Sequence, residues 1–311
     1  MAKNSDLVTI IMSVYNETID MVTKSSYSVL HQSYNNLQFI IVNDNPLRSD
    51  LDVFFRRLSN LDNRVIYLKN SKNFGLVKSL NFALNYANGT YVARMDADDI
   101  SDLYRIEKQL SYIKKNNLDM IGSKLTLIDE YDNIIGKVDV PIKHRKIANY
   151  YKIGVCLPHP SWLLKKEIYT KLEGYRNIFS CEDYDFALRA INAGFKLGNH
   201  PENLLKYRIR NSSISNSSRV KQILLTYLIS DYYRRNMIIP LEVVDRYLSS
   251  KQYQNDSVLL EHYLFSKIRL KNNKTMISMF KSILFILFNK YFYKAICRVA
   301  YKLTFKLNTS I

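Results

Sequence analysis

The chain has 311 residues, of which 47% are apolar and 23% charged; this is close to an average soluble globular protein and argues against a disordered, collagen-like or coiled-coil chain. Lys and Arg number 45 against 28 Asp and Glu, so the formal net charge is +17. Such a charge indicates an anionic partner, and nucleic acid, anionic lipid and a phosphorylated substrate are the three candidates.

The first hundred residues alternate β-branched apolar runs with segments of helical periodicity. The predicted strands are Val8–Val14, Leu37–Val42, Arg64–Leu68 and Thr90–Met95, and the predicted helices are Asp20–Tyr34, Leu51–Leu61 and Leu76–Tyr86. Strands that alternate with helices at this spacing predict βαβ units, and therefore an α/β fold with a mainly parallel sheet flanked by helices. In such sheets ligands bind beyond the carboxyl ends of the strands, so the polar residues that follow each strand matter most.

The alternation becomes weaker after residue 117. Further strands are predicted at Asp119–Asp129, Ile134–Val140, Pro158–Leu164, Phe195–Asn199 and Leu204–Ile209, and a helix at Glu182–Asn192. A Ser- and Asn-rich stretch, Asn211–Ser218, is interpreted as a linker. Beyond it the sequence is helical, with weak breaks near Pro240, Gln254 and Asn272–Asn273. We therefore expect an α/β domain over residues 1–215 and a basic helical region over 216–311.

Cysteine content and the termini bear on the cellular compartment. Cys156, Cys181 and Cys297 are too few and too far apart for a disulfide framework or a Cys-based zinc site. The N-terminus lacks the apolar stretch of a signal peptide. No run reaches the roughly 20 apolar residues that cross a bilayer. The sequence therefore predicts a cytoplasmic protein.

The most informative short stretch is Asp96-Ala97-Asp98-Asp99, which follows a hydrophobic strand. Three carboxylates at one strand end repel one another unless a cation or hydrogen bonds compensate them. Mg²⁺ and Mn²⁺ take carboxylate and phosphate oxygens together, so this arrangement suits a nucleoside diphosphate bridged to the protein by a metal ion. An acid pair spaced by one residue is also common in surface turns, and its position at the strand end is what favours the functional interpretation.

An ordered set of motifs resembles the inverting family-2 glycosyltransferases of the GT-A fold. The motifs are Val14-Tyr15-Asn16-Glu17, Asn43-Asp44-Asn45, Asn73-Phe74-Gly75, Asn81, Gly89-Thr90-Tyr91, Asp96–Asp99, His159-Pro160-Ser161, Gly174-Tyr175, Cys181–Asp185 with Arg189, Gly194-Phe195-Lys196 and Tyr207-Arg208. The resemblance covers residues 7 to about 215. It implies a nucleotide-sugar half at about 1–100 and an acceptor half at about 101–215.

The resemblance implies the following donor site. Tyr15 would lie against the nucleobase, and Asp44 would accept a hydrogen bond from the imide N–H of uracil or thymine. Relatives commonly carry two Asp where this chain has Asn43 and Asp44, which bears on a strict uridine preference. Asp98 would ligate Mn²⁺ or Mg²⁺ directly, and Asp96 would face the ribose or a metal-bound water. The full set of donor-binding residues is Ser13, Tyr15, Glu17, Asp44, Asn73, Lys78, Asp96 and Ala97.

The resemblance also implies an acceptor side. We interpret Asp183 as the base that takes the proton of the acceptor hydroxyl as it attacks the anomeric carbon. The alternative for Asp183 is a capping role at a helix start. Glu182, His159 and Asp99 are assigned to the acceptor or the transferred sugar, with turn packing as the alternative for His159. At Arg210, where relatives often place a His, a guanidinium cannot ligate a metal but could hold a phosphate.

The C-terminal region carries most of the positive charge. No acidic residue follows Glu261, whereas ten Lys and Arg residues do. Within Met276–Leu307, cations recur at steps of four beside aromatic and aliphatic residues, a pattern typical of a helix on an anionic membrane. A helix packed on the catalytic domain is the alternative. No recognised nucleic-acid motif is visible, so nucleic acid is not expected as a partner.

Together these interpretations predict a metal-dependent inverting glycosyltransferase of surface-polysaccharide synthesis. It would move a sugar from a UDP-sugar to a hydroxyl of a saccharide acceptor, which we expect to be lipid-linked, at the inner face of the cell membrane. One alternative is a nucleotidyltransferase, although the Gly- and Lys/Arg-rich phosphate loop expected after the first strand is replaced by Tyr15-Asn16-Glu17. The other is a non-catalytic, membrane-associated protein that binds sugar nucleotides, against which Asp98 and Asp183 argue.

Overall fold

The computed structural model describes residues 6–210, 218–272 and 291. These residues divide into two compact units. The first comprises residues 6–149, 155–177 and 182–210, and the second comprises 150–154, 178–181, 218–272 and 291. The predicted division at residue 215 falls within the stretch 211–217, outside the described residues, and stays a prediction.

The first part of the first unit alternates strands and helices as the sequence predicts. Its elements are β1 Val8–Val14, α1 Ile19–Leu30, β2 Leu37–Asn43, α2 Ser49–Leu61, β3 Val65–Lys69, α3 Leu76–Leu84 and β4 Tyr91–Asp96. Helix α1 begins where the Thr18 hydroxyl accepts the N–H of Met21 at 3.3 Å. Each predicted element in this part is present, with ends shifted by a few residues.

The second part of this unit is less regular. It contains β5 Ile100–Ser101, α4 Arg105–Lys115, β6 Met120–Ile128, β7 Ile134–Val138, α5 His144–Tyr150, a 3₁₀ turn at His159–Ser161, β8 Leu163–Lys165, α6 Lys166–Lys171, α7 Glu182–Asn192 and β9 Leu197–Arg208. Only α7 has the predicted bounds. The helices α4, α5 and α6 and the short strand β5 were not predicted.

Two strand predictions in this part are wrong. Pro158–Leu164 is a 3₁₀ turn followed by β8, because Pro160 lies within the turn and cannot donate a ladder hydrogen bond. The two short strands predicted at Phe195–Asn199 and Leu204–Ile209 form one strand, β9. Its pairing with β6 passes from His200 directly to Asn203, so a bulge accommodates Pro201 and Glu202 without ending the strand.

All the strands of this unit form one mixed sheet in the order β3-β2-β1-β4-β8-β6-β9-β5, with β7 pairing to β6. The neighbours from β3 to β4 are parallel, as are β6 and β9, whereas β8 is antiparallel to both of its neighbours. The prediction of a mainly parallel sheet flanked by helices is therefore confirmed. The chain order reverses at β1, which lies between β2 and β4, so β1 and β4 flank the crevice where ligands of such sheets bind.

The core of the first unit lies between this sheet and its helices. Strands β1 and β2 are almost fully buried, which explains why their sequences are continuous apolar runs rather than alternating ones. Val8, Ile10, Met12 and Val14 pack with Phe39, Ile41, Phe55 and the inner faces of α1, α2 and α4. This packing fixes the strand ends from which the polar loops emerge.

The described part of the second unit is helical, as predicted. It contains α8 Arg219–Arg234, α9 Leu241–Leu248 and α10 Lys251–Asn272. Leu224, Leu260, Tyr263 and Tyr291 form its core. The break expected near Gln254 is wrong, because α10 passes through that residue; the interruption lies at Ser249–Ser250 instead. Helix α9 begins after Pro240, where a break was expected.

None of the helices in the described ranges is long and apolar enough to cross a membrane. The segment Met276–Leu307, for which membrane contact was predicted, lies outside the described residues apart from Tyr291.

Candidate functional site

The crevice between β1 and β4 collects the polar residues predicted to bind the donor. Ser13 pairs with Asp96 across the two parallel strands, so the residues that follow each of them emerge at the same sheet edge. Tyr15 is 41% exposed and Ser13 is half-buried. The Glu17 carboxylate accepts the backbone N–H of Tyr15 at 2.7 Å, which holds the loop after β1 in a tight turn. This turn leaves the Tyr15 side chain accessible beside the crevice.

Asp44, at the end of β2, organises the neighbouring loop. Its Oδ1 accepts Asn70 Nδ2 at 2.6 Å and the N–H of Phe74 at 2.8 Å, and its Oδ2 accepts the N–H of Gly75 at 2.8 Å. Gly75 has a φ of +84°, a conformation that glycine adopts readily. The carboxylate is 2% exposed, so it already serves three donors of the protein. Its role toward a nucleobase stays a prediction.

Two further predicted donor residues lie on the surface beside this loop. Asn73 Oδ1 accepts the N–H of Gly75 at 2.9 Å, and both Asn73 and Lys78 are exposed. The Lys78 ammonium lies 5.9 Å from the centre of the Phe74 ring. Lys78 is therefore accessible to an anion near the start of α3.

The stretch after β4 brings three carboxylates together. Asp96 is half-buried and Oδ1 accepts Arg94 Nη2 at 2.5 Å. Ala97 is buried, the Asp98 side chain is 14% exposed, and Asp99 is fully buried. Asp99 therefore does not face a surface where an acceptor sugar could touch it, contrary to the prediction. It is a structural residue, because its Oδ1 accepts the backbone N–H of Arg208 at 2.9 Å.

Burial and mutual repulsion dominate the electrostatics of this stretch. Burial, together with the neighbouring Asp96 carboxylate, raises the pKa of Asp98 to about 7. The same causes, with Asp98 as a further neighbour, raise the pKa of Asp99 well above its usual value. Asp99 Oδ2 is buried and has no hydrogen-bond partner among the described residues. A positive charge placed beside these carboxylates would therefore stabilise their ionised forms.

The carboxylate oxygens of the site fit a divalent cation such as Mg²⁺ or Mn²⁺. Such cations are held by one or two carboxylates together with substrate phosphates rather than by a cage of protein ligands. Asp98, with Asp96 beside it, offers oxygen ligands of this kind. In the described parts of the chain, no three His, Cys, Asp or Glu side chains are arranged to hold a metal ion by themselves.

A second acidic pair begins helix α7. Glu182 is 8% exposed and Asp183 is half-buried. Burial raises the pKa of Glu182 to about 8, with the Asp183 charge adding to the effect, and burial raises the pKa of Asp183 to about 6. Asp183 Oδ1 accepts the N–H of Tyr184 at 2.7 Å, which favours its ionised form. At neutral pH the pair therefore holds one proton and one negative charge, and the Tyr184 N–H favours the charge on Asp183.

Arg94 interacts with both acidic groups, and it is only 1% exposed. Its guanidinium donates to the Met95 carbonyl and to Asp96, and it also interacts electrostatically with Glu182 and Asp183. The structure thus brings the predicted metal-binding acids and the predicted base into one electrostatic environment, although they are more than 80 residues apart in the sequence.

His159 is turned into the core. It is 8% exposed, its Nε2 lies 2.9 Å from the Tyr175 hydroxyl, and its ring packs edge-on against Trp162. Burial, with a contribution from Arg94, holds its pKa well below the usual value, so the imidazole is neutral. These contacts favour the packing interpretation over contact with the sugar or the acceptor.

Two arginines at the end of β9 contact the carboxylate stretch, and sequence reasoning missed both contacts. Arg208 Nε donates to the Asp98 carbonyl at 2.7 Å. Arg210 Nε lies 2.7 Å from Asp98 Oδ2, and its Nη2 lies 3.5 Å from Glu17 Oε1. No local pattern could have indicated these contacts, because more than 100 residues separate the partners.

Comparisons with known proteins identify the family of the chain. The family model for glycosyl transferase family 2 matches residues 9–172. A glycosyltransferase of Methanocaldococcus jannaschii, itself uncharacterized, is 35% identical over 71% of this chain and 77% of its own length. The O-antigen biosynthesis glycosyltransferase WbnJ of Escherichia coli is 33% identical over 75% of this chain and 91% of its own. The E. coli UDP-Glc:alpha-D-GlcNAc-diphosphoundecaprenol beta-1,3-glucosyltransferase WfgD is 32% identical over 70% and 82%.

Solved structures resemble the chain in fold alone, because their sequence identities are low. A mannosyltransferase of Pyrobaculum calidifontis, in complex with GDP-Man and Mn²⁺, has a TM-score of 0.59 at 13% identity and covers 95% of this chain and 84% of its own. S. aureus TarS has a TM-score of 0.55 at 15% identity and covers 79% of this chain. The present chain spans 44% of the length of that TarS structure.

Proposed function

The chain belongs to glycosyl transferase family 2 and has the GT-A fold, and on that premise we propose that it is a metal-dependent inverting enzyme that moves one sugar from a UDP-sugar to a hydroxyl of a lipid-linked saccharide. The observation that carries the proposal is the meeting of two acidic groups around Arg94. One of them, Asp96–Asp99, ends β4 at the ligand-binding edge of the sheet, and the other, Glu182–Asp183, begins α7. An inverting transfer needs a group that neutralises the charge of the diphosphate and a base beside the acceptor hydroxyl. We assign the first role to Asp96–Asp99 and the second to Glu182–Asp183.

Asp183 is the proposed catalytic base. In an inverting transfer, the acceptor oxygen attacks the anomeric carbon as the bond to the diphosphate breaks, and a base removes the hydroxyl proton. A pKa of about 6 leaves Asp183 ionised at neutral pH while keeping its basicity above that of an exposed carboxylate. Glu182, whose pKa burial raises to about 8, can keep the proton that the pair shares at neutral pH and can donate it in a hydrogen bond.

Asp98 and Asp96 are the proposed metal-binding residues. A divalent cation at this position would act as a Lewis acid that neutralises the charge of the departing diphosphate. Tyr15 offers a partly exposed aromatic ring to the nucleobase, and Asp44 holds the loop that borders the same crevice. Ser13, Glu17, Asn73 and Lys78 complete the proposed donor side.

UDP as the nucleotide and a lipid-linked saccharide as the acceptor are supported by the relatives. WfgD is named for a UDP-Glc donor and an acceptor linked to diphosphoundecaprenol, and WbnJ for O-antigen biosynthesis. We therefore propose a role in surface-polysaccharide synthesis at the inner face of the membrane. The excess of Lys and Arg after residue 261 supports contact with an anionic membrane through the C-terminal region.

A donor screen followed by transfer assays tests the proposal. Thermal unfolding is measured with UDP-, GDP- and dTDP-sugars in the presence of MnCl₂, because a ligand that binds the folded state raises the unfolding temperature. We expect a UDP-sugar to give the largest shift. Transfer to a polyprenyl-diphosphate-linked GlcNAc acceptor is then measured for the wild type, Asp183→Asn and Asp98→Asn.

We expect Asp183→Asn to bind the donor with nearly unchanged affinity while transfer falls by orders of magnitude. Asp98→Asn is expected to lose stimulation by MnCl₂. Transfer by Asp183→Asn at the wild-type rate would remove Asp183 as the base. Wild-type transfer that persists unchanged in EDTA would remove the metal. Donor binding without transfer to any acceptor would favour the non-catalytic alternative.

A further inference from the structure

Arg210 lies on the carboxylate that is proposed to bind the metal. Its Nε is 2.7 Å from Asp98 Oδ2 and its Nη2 is 3.5 Å from Glu17 Oε1. The three side chains are only 14–17% exposed. The guanidinium therefore bridges the loop that follows β1 and the loop that follows β4, at the mouth of the crevice between these strands.

The position of Arg210 is fixed by its neighbour Arg208. The Arg208 backbone N–H donates to Asp99 Oδ1 at 2.9 Å, its Nε to the Asp98 carbonyl at 2.7 Å, and its Nη1 to the Asp129 carbonyl at 2.9 Å. Arg208 is 3% exposed. Because these bonds hold the end of β9 against the carboxylate stretch, Arg210 follows at a short, defined distance from Asp98.

A guanidinium and a divalent cation compete for the same carboxylate oxygen. Arg210 Nε lies at ion-pair distance from Asp98 Oδ2, a divalent cation would bind the same carboxylate, and two cations on one carboxylate repel each other. A metal ion that binds Asp98 therefore has to displace Arg210. The displaced guanidinium, a planar group with several donors, then needs a new anionic partner, and the diphosphate of a bound nucleotide is the anion expected beside the metal.

From these contacts we propose that Arg210 couples metal binding to nucleotide binding by exchanging partners. Without ligands, Arg210 neutralises Asp98 and keeps its affinity for divalent cations low. When a nucleoside diphosphate enters, Arg210 moves to the diphosphate and Asp98 becomes available to the metal. This inference rests on the proposed function, and it adds a linkage that makes the site bind the metal and the nucleotide together rather than one by one.

The test compares Arg210→Gln with Arg48→Gln. Arg48 is a matched control, because its Nη1 contacts the Glu17 carbonyl at 3.3 Å while its guanidinium pairs with Asp50 rather than with Asp98. Both variants remove one positive charge near the crevice. Mn²⁺ binding is followed by electron paramagnetic resonance of the free ion, with and without UDP, and UDP binding is followed by calorimetry, with and without MnCl₂.

For Arg210→Gln we expect Mn²⁺ alone to bind about tenfold more tightly than it binds the wild type, and UDP alone to bind more weakly. The coupling between Mn²⁺ and UDP should fall by about tenfold, and by the same factor whichever ligand is titrated first. Arg210→Lys keeps the charge but lacks the several N–H donors of a guanidinium. Its Mn²⁺ affinity and its coupling should therefore lie between those of the wild type and Arg210→Gln. Arg48→Gln should match the wild type.

An unchanged or weaker affinity of nucleotide-free Arg210→Gln for Mn²⁺ would overturn the inference, and so would an equal gain in Arg48→Gln. If Arg210→Gln is not folded, the same comparison is made with Arg210→Lys, for which a wild-type Mn²⁺ affinity and coupling would overturn it. UDP binding that lacks any dependence on Arg210 would defeat the inference while leaving the proposed function intact. A wild type that binds no nucleotide, with or without MnCl₂, would defeat both.

Discussion

Asp183→Asn should stabilise the protein even as it abolishes transfer. Burial raises the pKa of Asp183 from 3.8 to about 6, so the folded state holds a proton on this residue more tightly than the unfolded state does. Below pH 4 the carboxyl is protonated in both states and this difference has no effect. As the pH rises from 4 to 6, the unfolded chain ionises first and the folded state loses stability; above pH 6 the loss is constant.

The magnitude follows from the difference between the two pKa values. Two pKa units correspond to about 3 kcal/mol of destabilisation above pH 6, and to about half of this at pH 5. Asparagine keeps the Oδ1 that accepts the Tyr184 N–H at 2.7 Å but cannot ionise. We therefore expect Asp183→Asn to be more stable than the wild type by about 3 kcal/mol at pH 8 and by about half as much at pH 5. For a unit of about 200 residues, this is a rise of several degrees in Tm at pH 8.

Asp185→Asn, two residues along the same helix, is the matched control. Asp185 is 2% exposed and receives hydrogen bonds from Arg176 Nε at 3.0 Å and Arg189 Nε at 2.8 Å. Removing its charge takes the paired carboxylate from the buried Arg189 guanidinium, which costs about 3 kcal/mol. Thermal unfolding of both variants at pH 5 and pH 8 measures the contrast. An Asp183→Asn variant that is no more stable than the wild type at pH 8, or whose gain is the same at both pH values, would refute the reasoning.

Three further predictions follow from other parts of the chain. Gly89→Ala should destabilise the first unit by several kcal/mol, since its Cβ would lie 2.6 Å from the Leu7 carbonyl oxygen; denaturant unfolding measures this, and a loss below about 1 kcal/mol would contradict it. Asp44→Ala should lower stability by about 1–3 kcal/mol and weaken UDP binding, because three donors lose their acceptor; unchanged UDP affinity in calorimetry would separate this loop from the donor site. Deletion of residues 276–311 should abolish co-sedimentation with anionic liposomes, and binding that persists would assign the membrane contact elsewhere.

The sequence predicts the first half of the sheet well, because β1, β2 and β4 are almost entirely buried and the helices α1, α2 and α3 alternate with the strands along the chain. Helix α4, whose inward face contains two polar residues, was not predicted. Arg105 is 1% exposed and donates through Nη2 to the Arg94 carbonyl at 2.7 Å, and Gln109 is fully buried and donates to the Ser161 carbonyl at 2.8 Å. Ile106, Leu110 and Ile113 recur at helical spacing on the same face, so periodicity could have indicated α4; the burial of Arg105 and Gln109 could not be predicted, because their partners belong to distant segments.

The same limit applies to the site. The strand-end position of Asp96–Asp99 could be inferred, since the carboxyl ends of neighbouring parallel strands meet at one sheet edge. The different environments of its members could not be inferred. Asp99 is fully buried and accepts a hydrogen bond from the Arg208 N–H, whereas Asp98 is partly exposed and forms an ion pair with Arg210. That difference depends on where β9 ends relative to β4, which is a property of the sheet rather than of either segment.

The net positive charge of the chain does not come from the sheet edge that is proposed to bind the donor. In the structure, cationic and anionic side chains meet at that edge in similar number: Arg94, Arg208 and Arg210 contact or lie beside Glu17, Asp96, Asp98 and Asp99. The net charge of +17 therefore does not explain donor binding. Its larger share lies after residue 210, apart in the sequence from the residues at the end of β4.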